Sequence, residues 1–221
     1  MSRQAERNTR STNALLEAAS DLIVEGGFAS MTFAAIGERA GFSRGLVTAR
    51  FGSKEGLVEA LIDRIVGTWS HRNVLPRTKD HPGLDGVAAM LDAIRRQAER
   101  NPRSLRVLYA LSFEALGHDE ELRSRFAKFH EVMRADFATL VSTGKRDGTI
   151  RADVSPALEA ALIVSGLRGI GYQWLLDPEH FDPVPVLAHL HDATRDRLRA
   201  IPVLPPTTPS KTRLNPKRTS R

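Results

Sequence analysis

Residues 41–57 read GFSRGLVTARFGSKEGL, with cations at Arg44, Arg50 and Lys54 and no acid before Glu55. Ser43 and Ser53 each precede a short helical phrase, where a side-chain oxygen can cap the first turn. A cap followed at once by a cation suits hydrogen bonding to nucleic-acid phosphates, or to guanine O6 and N7. Catalytic chemistry has much less to work with. Ser112 has no glycine elbow around it. Gly166, Gly169 and Gly171 do not follow the order of a dinucleotide loop and no strand precedes them, so helix packing is their expected role. His189 and His191 fall on different faces of a helix, which makes a poor metal site. With no cysteine there is neither a thiolate ligand nor a disulfide. No metal and no cofactor is implied, and the chain is not expected to be an enzyme.

The net charge of +6 belongs mostly to one end. Residues 1–65 hold eight Lys and Arg against eight Asp and Glu; residues 66–201 hold nineteen against eighteen. Residues 202–221 hold five against none. Placement, and not total charge, must therefore carry any argument for a nucleic-acid partner. No run of eighteen apolar residues is present, so no membrane span is expected. The N-terminus, MSRQAERNTRSTN, has no apolar signal region, and a cytoplasmic location is the expectation.

The elements that must position these residues are helices. Leu15, Leu16, Ala19, Leu22 and Ile23 recur at helical spacing up to Gly26-Gly27. Thr32 can cap a second helix bearing Phe33, Ile36 and Ala40, ended by Gly41. Ser43 caps a third to about Arg50, and Ser53 a fourth carrying Leu57, Leu61 and Ile65, with Trp69 beyond. Thr68 to Pro82 reads as a polar connection. Further helices are predicted over 87–99, 105–116 and 120–143, the last closed by Gly144. Two more run from Ser155-Pro156 to about Leu176 and from Pro183 or Pro185 to about Ala200. Strand-like alternation is not evident, so the fold class is all-α. Residues 202–221, rich in proline, threonine and cations, are expected to be disordered.

The turn at Gly41 and the polar outward positions after it meet the demands of a helix-turn-helix, with Ile36, Ala40 and Val47 inward. Residues 9–66 resemble the DNA-binding domain of the tetracycline-repressor (TetR) family. The resemblance lies in Gly26-Gly27-Phe28, Met31-Thr32-Phe33, Ile36, Ala40-Gly41-Phe42-Ser43, Arg44-Gly45, Phe51 and Ser53-Lys54-Glu55-Gly56-Leu57. It implies a helix-turn-helix DNA-binding domain over 1–66, a ligand-binding and dimerisation domain over 67–201, and a tail over 202–221. Thr32 would cap the second helix and touch a phosphate, while Ser43 and Arg44 open the recognition helix. Arg44 would reach a base, Gly45 would allow close approach, and Lys54 would hold a phosphate. Arg50 is expected either at a phosphate or paired with Glu55. Two positions depart from the family pattern. Thr48 stands where an aromatic is usual, and Gly37 where alanine is usual.

For the larger domain, Ala157, Ala161, Ser165 and Gly169 form a small-residue stripe. With Leu158, Leu162, Ile170 and Trp174 it predicts a pairing face for a homodimer. Tyr109, Phe113, Phe126, Phe129, Met133 and Trp174 are candidates for an apolar pocket, with Glu114, His118 or His130 as a polar handle. The expected function is a ligand-responsive transcriptional repressor, released from pseudo-palindromic double-stranded operator DNA by a small-molecule effector. The second reading is a helical small-molecule-binding protein or enzyme that does not act on DNA.

Overall fold

The structure is a computed structural model that describes residues 3–67, 81–117 and 119–200. The basic tail, most of the polar connection, Trp69 and His118 lie outside the described residues. Four helices come first: α1 (Arg3–Gly26), α2 (Phe33–Ala40), α3 (Arg44–Phe51) and α4 (Lys54–Ile62). A 3-10 turn, Phe28–Ser30, separates α1 from α2, and α4 continues into a π-helical turn, Asp63–Gly67. Five longer helices follow: α5 (Gly83–Arg100), α6 (Pro102–Glu114), α7 (Glu120–Asp147), α8 (Pro156–Leu176) and α9 (Pro183–Leu198). The fold is all-α. One isolated antiparallel bridge, Ile150 to Arg199, ties the end of α9 to the α7–α8 connection.

Most helix starts obey the capping logic of the sequence. Side chains of Thr32, Ser43, Ser53, Asn101, Asp119, Ser155 and Asp182 each accept a backbone N–H of the first turn. Several boundaries differ from expectation; α6, for one, begins at Pro102 and not Leu105. Helix α5 begins at Gly83 and not Val87. Helix α7 passes through Gly144 and stops only at Gly148, which is left-handed with φ 78°. Gly144 is a packing residue, because a Cβ there would lie 2.5 Å from Ile150 Cδ1.

Leu15, Ala19, Ile23, Met31, Ile36, Val47, Leu57 and Leu61 close the core of α1–α4, all at most 2% exposed. That core is continuous with the one beneath α5–α9. Charged pairs cross the junction at Arg103 and Arg125, while Arg64 ties the π turn back to α1. Arg103 of α6 meets Asp21 of α1 at 2.9 Å. Arg64 meets Glu17 at 3.0 Å. Arg125 of α7 pairs with Glu59 of α4 and stands 3.7 Å from Asp63. Such part-exposed pairs fix register more than they stabilise.

The α2–α3 turn accounts for Gly37. Gly41 takes the left-handed conformation, φ 73° and ψ 30°, which ends α2 in the manner glycine allows. The chain then folds back so tightly that Phe42 N–H donates to Gly37 O at 2.8 Å. A Cβ on Gly37 would sit 2.8 Å from Phe42 O and 3.1 Å from Arg44 N. Glycine inside a helix normally costs about 1 kcal/mol against alanine; here it is what brings the third helix against the second. Gly37→Ala should therefore lower stability by ~1–3 kcal/mol, as overpacking does. Thermal and urea unfolding of the variant measure this, and a gain in stability would refute the close-approach account.

Candidate nucleic-acid interface and ligand cavity

Helices α2 and α3 set one continuous polar surface. Thr32 Oγ1 accepts from Ala35 N at 3.2 Å and Ser43 Oγ accepts from Leu46 N at 3.2 Å. Each hydroxyl thereby keeps its O–H free to donate outward. Both residues are exposed, as are Arg44, Gly45 and Thr48. The Arg44 guanidinium makes no hydrogen bond or ion pair among the described residues. Gly45 has only Ser43 Oγ, at 3.7 Å, near a notional Cβ, so nothing within the chain requires glycine there. Thr48 Oγ1 donates to Arg44 O at 3.2 Å, which turns its hydroxyl back along the helix.

The other two cations are more committed. Arg50 Nη2 donates to Asn8 Oδ1 at 3.3 Å and Ser11 Oγ at 3.2 Å, bracing α3 against α1 and not pairing with Glu55. Lys54 Nζ donates to Phe28 O at 3.3 Å and stands 3.9 Å over the Phe28 ring, so it locks α4 to the 3-10 turn. Phe42, 37% exposed at the turn itself, is an apolar member of this surface to which the motif assigns no contact. An exposed phenylalanine between glycine and a capping serine was the available signal.

A cavity of about 30 Å³ lies where the two groups of helices meet, large enough for one or two water molecules. Ile65 and Val66 of the π turn, Ile94 and Gln97 of α5, and Leu105, Leu108 and Tyr109 of α6 line it. Phe129 and Met133 of α7 and Arg168 of α8 complete it. Of the residues expected in a pocket, Tyr109, Phe129 and Met133 line this cavity. The other candidates among the described residues are elsewhere. Phe113 stacks edge-on to Tyr172, with centroids 5.5 Å apart. Glu114 is exposed at the end of α6, and Trp174 packs beneath Arg106. Phe126 and His130 lie behind the wall beside Phe129.

Arg168 was missed because a lone arginine in an apolar helix carries no periodic signal. Its Nε and Nη1 are buried with no hydrogen-bond partner among the described residues, as is His130 Nε2. Burial, reinforced by the charges of Arg168 and Arg134, pulls the His130 imidazole from its ordinary value near 6.5 down to about 4. Ser112 donates to Tyr109 O at 2.8 Å within its own helix. Among the described residues no three potential ligands gather for a metal, and no helix is long and apolar enough to cross a membrane.

The outer face of α8 holds a third feature. Leu158, Leu162, Tyr172 and Leu176 are 72%, 55%, 51% and 71% exposed, with exposed Ser165 and Gly169 between them. Positions 158, 162, 165, 169, 172 and 176 alternate steps of four and three, the spacing of a helix-pairing seam. Two expected members do not sit on it fully. Ala161 is part-buried, and Trp174 is only 6% exposed because it points into its own core. Ile170, expected to flank the stripe, is also buried, at 6%.

Residues 15–61 match the family described as "Bacterial regulatory proteins, tetR family", and residues 84–199 match "BetI-type transcriptional repressor, C-terminal". The HTH-type transcriptional regulator TtgR of Pseudomonas putida is 26% identical over 212 residues, covering 92% of this chain and 99% of TtgR. The nucleoid occlusion factor SlmA of Actinobacillus pleuropneumoniae is 32% identical over 127 residues, and the match spans 56% of this chain and 61% of SlmA. In fold, the chain is similar to SmeT in its triclosan complex, with TM-score 0.72 and 20% identity over 90% of this chain and 96% of that one.

The depressed His130 pKa fixes the direction of a pH dependence. An unfolded imidazole takes up a proton near pH 6.5, whereas the folded one resists protonation until about 4. The unfolded state then binds more protons, so stability is full above the upper value and falls as pH drops through the window. His130→Asn should flatten that slope, which thermal midpoints measured from pH 7 to about 4 will record. Identical slopes would contradict it.

Proposed function

The chain belongs to the tetR family of bacterial regulatory proteins, and on that premise we propose that it works as a homodimeric repressor whose grip on pseudo-palindromic operator DNA is governed by a small molecule. The observation that carries the DNA reading is the exposed run of cap, unpaired arginine and unobstructed glycine at Ser43, Arg44 and Gly45. A helix opening this way enters the major groove by its N-terminal end. Arg44 then donates to guanine, Gly45 admits the groove wall, and Thr48 faces the next bases. Thr32 and Ser43 donate their free O–H groups to phosphates. Lys54 and Arg50, already tied within the chain, offer their remaining N–H donors to phosphate from fixed positions. The division of the chain at residues 66 and 201, and a cytoplasmic address, belong to the same reading.

The seam on α8 supports pairing. Four large apolar side chains exposed on one helix face, with Ser165 and Gly169 between them, favour close association with a second copy. Two copies set two recognition helices at a fixed separation, which must equal the roughly 34–36 Å groove repeat for both to bind.

Regulation follows from the cavity wall. Ile65 and Val66 belong to the turn that prolongs α4, and α4 starts at Lys54, directly after the recognition helix. An occupant larger than one or two waters displaces that wall, and α4 carries the displacement to α3. Small shifts at such a junction become large at the DNA because two half-sites must be satisfied together.

Gel-shift titration against the DNA upstream of its own gene tests the reading. Sequence-specific retardation is expected at moderate salt, and its absence would favour the non-DNA helical binder. Arg44→Ala should relax base preference at one operator position and cost ~1–3 kcal/mol of binding. A uniform loss across all sequences would remove Arg44 from the bases.

A further inference from the structure

Arginine keeps its proton in proteins, so Arg168 brings a permanent charge to the cavity. Its surroundings do little to balance it. Nη2 reaches Met133 Sδ at 3.9 Å, a weak acceptor. The guanidinium carbon lies 4.9 Å from the Tyr109 ring centre and 5.9 Å from that of Phe129. Tyr109 Oη is engaged elsewhere, donating to Leu167 O at 3.0 Å. Nε and Nη1 are buried without an acceptor among the described residues. Among the described residues no Asp or Glu lines the cavity; its polar lining there consists of Gln97, Tyr109 and Arg168 amid apolar side chains. Burial also pulls the Arg168 pKa down, which registers the cost of this charge.

A buried cation without a counter-ion destabilises a fold, and replacing it by an apolar side chain is often stabilising. Each edge of the planar fork sets an unused donor, Nε–H or Nη1–H, parallel to an N–H of Nη2, whose acceptor here is only a thioether, and such an edge matches a carboxylate. We propose that Arg168 is the anchor of an anion site, and that the effector is a monocarboxylate with an apolar body. A single arginine with no lysine beside it neutralises one negative charge, which suits a carboxylate better than a phosphate dianion. The ring of Tyr109, the thioether of Met133 and the isoleucine and leucine walls cover the apolar body. Ile65 and Val66 give way to admit it. Gly171 sets the depth of the floor, since a Cβ there would lie 2.3 Å from Tyr109 Cε1 and drive that ring into the cavity.

The assignment rests on the proposed regulation for the ligand's role as effector, but binding itself is measured without DNA. Isothermal calorimetry compares octanoate, octan-1-ol and octyltrimethylammonium, then benzoate, benzyl alcohol and benzyltrimethylammonium, against the full chain. In at least one series the carboxylate should bind about tenfold or more tighter than its neutral partner, and the cation weakest. Arg168→Met should erase that preference while raising the thermal midpoint of the ligand-free protein. Arg168→Lys should keep part of the preference and serves as the folded control. If neither carboxylate is preferred, or if Arg168→Met retains the preference, the anion site is overturned. Carboxylate binding that leaves the operator gel shift unchanged would overturn the regulatory role and leave the site standing. Operator binding without any carboxylate preference would do the reverse.

Discussion

Helix α4 serves two masters, and most of the structure depends on that. Its first turn is held by Ser53, by the Lys54 contact with Phe28 and by packing against α3. Its π-helical continuation forms one wall of the cavity through Ile65 and Val66. A π turn inserts an extra residue into the helical register and is favoured where a helix must present side chains off its regular stripe. Here it aims two apolar side chains into the cavity while Leu57 and Leu61 stay in the core of α1–α4. The element that packs against α3, the helix proposed to read DNA, thus also lines the cavity proposed to hold the ligand.

The remaining contacts make that element's movement count. Arg125 joins α4 to α7 through Glu59 and Asp63, and Arg64 and Arg103 join α1 to the turn and to α6. These pairs are part-exposed and individually weak, so they do not anchor the two helix groups as one block. Weak links of this kind leave room for the shift that the proposed regulation requires. Rigidity lies elsewhere, in the tight α2–α3 turn built on Gly37 and in the Arg50 brace to α1.

Legibility in the sequence followed the range of the interactions. Caps, glycine stops and apolar spacing are local, so helix-turn-helix elements and capping residues could be read directly from Thr32, Ser43 and Ser53. Longer-range roles could not. Gly144 looked like a stop and is instead the floor for Ile150, which approaches from beyond the helix end. Gly37 looked like a weakness until the Phe42 carbonyl was seen against it. Arg168 had no readable role, because its meaning depends on what four other helices leave unpaired around it. Spacing offers Trp174 for both the pairing face and the pocket, yet burial sets it in its own core beneath Arg106. An aromatic stripe can mark either a core or a pocket, and only the packing of α6, α7 and α8 separates Tyr109 and Met133 from Phe126.

The central claim is that the cavity wall and the DNA grip are one mechanical element, and a single substitution addresses it without any ligand. Val66→Trp adds bulk to the wall from α4's own extension and should act as a permanent occupant. Its affinity for operator DNA, measured beside its thermal midpoint and oligomeric state, should fall by about tenfold or more, within the usual range of allosteric coupling, with both of the others kept. Operator affinity equal to that of the wild-type chain, in a folded dimer, would contradict the account.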